Sequence, residues 1–168
     1  DKVAAAEIEA YEDNTVKEPL IPEGTALNGS PVKKTAQNAE YGATEWTLAN
    51  GVKVIVKPTT YKADEVRMYA QAKGGLSILT DEEFYMGEMM PAFVGKFSAT
   101  DLKKQLSGKS ASVQPSVENY ASEMNGFCSP KDLETMFQLL YLNFTQPRFD
   151  ENDYNTLMKM LRAQLENV

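Results

Sequence analysis

The sequence predicts an α+β domain: a mainly antiparallel sheet with helices packed on one face. Three observations carry this expectation. Asn50-Gly51 separates two short apolar runs, as a tight hairpin turn requires. Gly74-Gly75 closes a run in which apolar and polar residues alternate. Further along, three stretches carry helix-start signals followed by apolar residues at i, i+3 and i+4. Strands, helices, strands and helices therefore follow one another in that order.

Residues 1–14 include VAAAEIEA, a helix-forming run with no start signal of its own, and read as the end of a preceding helix. Residues 16–42 carry Pro19, Pro22, Gly24, Asn28-Gly29 and Pro31 with few large apolar side chains, the composition of an extended connector. Residues 1–45 are therefore expected to form an interdomain linker with the end of a preceding helix, and residues 46–168 the domain. Asn-Gly tolerates positive φ, so strands are expected at 47–48 and 52–56. Val52, Val54 and Val56 there alternate with Lys53 and Lys57, a pattern that Ile55 breaks. A third strand is expected over 65–72, with Val66, Met68, Ala70 and Ala72 on one face and Arg67, Tyr69 and Gln71 on the other. The chain would thus enter its sheet by a meander, with Trp46 and Tyr69 as sheet-packing residues.

Thr80-Asp81-Glu82-Glu83 fits a capping box and starts a helix whose apolar stripe is Met86, Met89, Met90 and Phe93, bent or shortened by Pro91. A short helix over 100–107 stops at Gly108. Residues 109–115 and 117–127 alternate and would pair as a hairpin in the same sheet. Ser129-Pro130-Lys131-Asp132 combines a hydroxyl cap, a first-turn proline and an early carboxylate. The helix it starts carries Leu133, Met136, Phe137, Leu140 and Phe144 as its expected buried stripe and ends at Pro147. The last helix opens at 150–153, with Tyr154, Leu157, Met158, Leu161 and Leu165 on its apolar face. It is still in register at the last residue, so the domain is expected to be incomplete at its C-terminus. Its uncovered apolar faces would favour self-association.

Composition narrows the function classes. The formal net charge is -7, which repels phosphate backbones and leaves no basic, aromatic-interleaved stripe for nucleic acid. No apolar run approaches the roughly 20 residues that cross a bilayer, so no membrane span is expected. Cys128 is the single cysteine and histidine is absent. An intrachain disulfide is thereby excluded, and the side chain most used for zinc binding and proton transfer is missing.

LANGVKVIVKPT, DEVRMYAQAKGGLS, the capped helix, DLKKQLSGK and SPKDLETMFQLLYLNFTQPRFDENDY, in this order from residue 46 onward, resemble the insulinase/pitrilysin-type zinc peptidase family. The resemblance implies duplicated α+β domains in two bowl-like halves around a chamber. Zinc is held in one domain by an inverted H-x-x-E-H motif and a downstream glutamate, while the other domains share the fold and lack the metal. Anchored on Gly95, the two motif histidines and the glutamate would correspond to Met86, Met90 and Met89. Thioethers there supply neither a tight zinc ligand set nor a base for a zinc-bound water, and core packing by methionine accounts for them.

No catalytic, cofactor-binding or metal-ligating residue is therefore assigned in this segment. Asp81, Glu82, Glu83 and Glu88 are accounted for by helix capping and a solvated face rather than by acid–base chemistry or a hard cation. Cys128 lacks a histidine base and reads as structural. Gly74-Gly75 reads as a strand terminator rather than a phosphate cradle, since no G-x-x-x-x-G-K-[ST] is present.

The resemblance implies a non-catalytic domain that forms the chamber wall opposite the active half and helps to confine and position extended peptides. Zinc would belong to the parent protein's active half. The partner would be an upstream catalytic half of the same chain or a partner subunit, in a bacterial periplasm or cell envelope. The alternative is a non-enzymatic assembly subunit with the same fold.

Overall fold

The computed structural model describes residues 19–87, 97, 99–148 and 150–166. Strands β1 (Val32–Asn38), β2 (Ala43–Leu48), β3 (Lys53–Val56) and β4 (Val66–Lys73) come first. A 3-10 turn at Gly75–Ile78 and the helices α1 (Asp81–Gly87) and α2 (Ala99–Gln105) follow. Then come β5 (Ala111–Val117), β6 (Ala121–Cys128), a 3-10 turn at Pro130–Asp132, and the helices α3 (Leu133–Thr145) and α4 (Glu151–Glu166). The α+β class is as the sequence predicts. The strands form two three-stranded antiparallel ladders, ordered β1-β2-β3 and β4-β6-β5.

The Asn50-Gly51 hairpin forms. Gly51 takes φ 89°, Leu48 N–H donates to the Val52 carbonyl at 2.8 Å, and Asn50 Oδ1 accepts from Val52 N–H at 3.1 Å. Trp46 then lies opposite Val54. The second neighbour of β2 is β1, which falls inside the 16–42 connector and places Thr35 against Trp46. The connector's extended chain is therefore used here as a strand. Its sequence, VKKTAQN, is mostly exposed and lacks an inward apolar row, so nothing in it signalled pairing. β2 itself runs across position 45/46, where the sequence reading placed the edge of the domain.

The expected meander from β3 into β4 does not form. Residues 57–65 are longer than a hairpin loop, and β4 pairs instead along its whole length with β6, from Val66 opposite Cys128 to Lys73 opposite Ala121. The expected β5–β6 hairpin is present, in the β4 ladder rather than in that of β2 and β3.

One face of this second ladder packs on α3. Val113, Cys128, Met136, Leu139 and Leu142 form the core with Phe97 and, from the connector, Leu20. Leu20 is only 4% exposed, so the connector is pinned to the domain at that point. The stripe expected on α3 is corrected. Met136 is buried, but its companions are Thr135, Leu139 and Leu142. Leu133, Phe137 and Phe144 are exposed, and Leu140 is partly buried. At 3.6 residues per turn the buried face is rotated about a third of a turn from the expected one. Apolar residues lie on both sides of this helix, and contact with β5 and β6 selects between them.

The start of α3 also differs. Ser129 Oγ caps no helical amide and donates instead to Asp132 Oδ2 at 2.7 Å. The same oxygen accepts Ser110 N–H at 2.8 Å. Asp132 thus ties the entry of β5 to the entry of α3, and both hydrogen bonds hold its carboxyl below the usual aspartate range. The helix ends before Pro147, with Gln146 N–H on the Leu142 carbonyl at 2.9 Å. At α4, Asp150 Oδ1 accepts Asn152 N–H at 2.9 Å, as expected of a start at 150–153. Tyr154 and Leu165 of its expected stripe are exposed and Met158 is half-buried; the side chains of Leu157 and Leu161 lie outside those described. Among the described residues, no helix is long and apolar enough to cross a membrane.

Candidate functional site: the capped helix and the open sheet face

Two places carry the residues that chemistry would use. The first is the passage from β4 into α1. Gly74 and Gly75 take φ 131° and 60°, conformations that side chains strain. A Cβ at Gly75 would collide with the Glu118 carbonyl. The pair therefore ends the strand as expected. Leu76 is buried beyond it, and the chain turns into the capping box. Thr80 N–H donates to Glu83 Oε2 at 3.0 Å, and Glu83 N–H donates back to Thr80 Oγ1 at 3.4 Å. Hydrogen bonds from the Thr80 amide and hydroxyl hold the Glu83 carboxyl below the usual glutamate range. That keeps Glu83 an anion committed to the cap. Asp81 and Glu82 are exposed beside it.

Met86 lies in the last turn of α1. Met89, Met90, Glu88, Phe93 and Gly95 lie outside the described residues. Cys128 ends β6 with no exposed surface. Burial pushes its thiol up, and the nearby Asp132 charge adds to this, so the thiolate that a nucleophile or a zinc ligand needs is disfavoured. With no histidine in 168 residues, the donors that remain are carboxylates, thioethers and one buried thiol. This set does not fit a catalytic zinc site.

The second place is the face of the β4–β6–β5 ladder turned away from α3. Alternation along the strands sets Val66, Met68, Val113, Met124 and Cys128 toward the helix and Arg67, Tyr69, Gln71, Gln114, Glu123 and Asn125 away from it. Tyr69, expected as a sheet-packing residue, is 58% exposed. Its hydroxyl donates to Glu123 Oε1 at 2.6 Å, and Gln71 Nε2 donates to the same oxygen at 3.2 Å. The Glu123 carboxylate holds the Tyr69 hydroxyl above its usual pKa. Arg67 is engaged by Glu65 at 2.6 Å, which also takes Lys62 at 2.9 Å. Sequence reasoning missed Glu123. Its signal was the period-two alternation of β6, which places it on the face opposite Met124.

Against solved structures, the architecture is shared with proteases. The periplasmic protease PqqL from Escherichia coli matches with a TM-score of 0.78 and 18% identity, over 98% of this chain and 18% of that one. The fold is that of the insulinase-like proteases. The ferredoxin protease FusC, solved in complex with Arabidopsis ferredoxin, matches with a TM-score of 0.71 and 18% identity, over 99% of this chain and 19% of that one. The chain thus spans less than a fifth of the length of either neighbour. No family model matches the sequence, and no curated protein does.

Proposed function

We propose that this chain is part of the non-catalytic half of a larger zinc peptidase. It forms the chamber wall opposite the active half and helps to confine and position extended peptides. The observation that carries this reading is a ladder with one face closed by α3 and the other open and lined by polar and aromatic side chains. It stands in a protease fold on a chain without imidazole. Zinc, the nucleophilic water and its base would come from an upstream catalytic half or a partner subunit. A periplasmic or envelope setting is in keeping with one of the two structural neighbours.

The test is to incubate the purified chain with unfolded peptides and zinc. No hydrolysis is expected, and chelator-sensitive cleavage that survives repurification overturns the reading. The lack of imidazole equally supports a non-enzymatic assembly subunit. The two diverge in the gene: an H-x-x-E-H in the domain preceding Asp1 favours the peptidase, and its absence the scaffold.

A further inference from the structure

On the open sheet face one carboxylate is held by two donors from β4. Glu123 is half-buried, and Tyr69 and Gln71 both donate to its Oε1. Among the described residues, its Oε2 makes no hydrogen bond. The Tyr69 ring beside it is more than half exposed. Glu118, in the turn between β5 and β6, is close enough that its charge also raises the Tyr69 pKa. Neither cation of this face is paired with Glu123. Arg67 is bound to Glu65, and Lys73, diagonal to Glu123 across the β4–β6 pair, is exposed and makes no ion pair with it. The whole chain carries a net charge of -7, which draws cations toward it.

A half-buried carboxylate with an unengaged oxygen, next to an exposed aromatic ring, matches the chemistry of an ammonium or guanidinium group. The carboxylate offers a charge-assisted hydrogen bond and the ring a cation–π contact. We propose that Glu123 and the Tyr69 ring receive the lysine or arginine side chain of an extended polypeptide lying across the open face of the β4–β6–β5 sheet. This rests on the chamber-wall reading and deepens it by naming the class of substrate segment this wall prefers, a basic one.

The test is fluorescence anisotropy of the 168-residue chain with short unstructured peptides identical except for a central Lys, Gln or Glu. The Lys peptide is expected to bind about tenfold more tightly than the Gln peptide, the scale of one charge-assisted hydrogen bond. Glu123→Gln, which keeps the shape and an oxygen for Tyr69 and Gln71, is expected to abolish that preference. Glu134→Gln, the same charge change on α3, is expected to leave it intact. Equal binding of the three peptides, binding of none, or an equal loss in both variants overturns the proposal. Binding without charge preference leaves the chamber-wall reading standing, whereas peptide cleavage by the chain overturns that reading independently.

Discussion

Single residues carry much of the local strain and charge in this domain. Gly75 has φ 60°, and a side chain there would run into the Glu118 carbonyl and come within 2.5 Å of Ala121 N. Backbone atoms held in a ladder cannot swing aside. Gly75→Ala is therefore expected to cost more than the roughly 1–2 kcal/mol of a left-handed L-residue alone. Gly108→Ala, at φ 75° with open space around the new Cβ, is expected to cost no more than that. Urea midpoints of the two variants compare them directly. Asp132 sets a pH dependence. Its folded pKa lies below the ordinary value of 3.8, so its stabilisation is present above that pH and is lost as pH falls through the lower folded value. Acid titration of the melting temperature should show a decline in that window, and Asp132→Asn should be less stable at neutral pH with a flatter acid limb. An unchanged acid limb would remove Asp132 from the account.

Among the elements, α3 decides the core. Its buried side carries Met136 and Leu142, each 1% exposed, while Phe137 and Phe144 on the other side are 51% and 66% exposed. Met136→Ala and Leu142→Ala are expected to lose about 2–5 kcal/mol through lost burial and residual cavities. Phe137→Ala should stay within about 1 kcal/mol, as surface substitutions do. Chemical denaturation of the three variants tests which face is buried, and a reversed order would restore the face expected from sequence. Leu20→Ala belongs with the costly pair, at about 2–5 kcal/mol, because Leu20 fills the same core from the connector. Limited proteolysis of that variant should cut earlier within residues 19–30 than in the parent chain.

At the scale of the whole molecule, the two ladders differ in support. The β4–β6–β5 ladder shares the core with α3, whereas the β1–β2–β3 ladder contributes only Ala43 to the buried apolar residues. Amides of β6, central and covered, are expected to exchange with solvent most slowly, and those of β1 and β3, on the edges of the less supported ladder, much faster. Native-state hydrogen exchange measures this, and equal protection in the two ladders would mean that they open as one unit.

The local chemistry was legible in the residues themselves. Asn50-Gly51 determined a hairpin, Thr80 and Glu83 a cap, Gly74-Gly75 the end of a strand, and the missing histidine a donor set without imidazole, because each depends on atoms a few bonds apart or on composition alone. The residue order also carried the resemblance that the shared protease fold now supports. Tertiary structure alone decided that β4 would pair with β6 rather than β3, that VKKTAQN would become a strand, that α3 would bury Leu139 and Leu142 instead of Phe137 and Phe144, and that Tyr69 and Glu123 would meet. These outcomes depend on contacts between residues far apart in the chain. Several apolar faces compete for one core there, and local pattern does not say which of them wins.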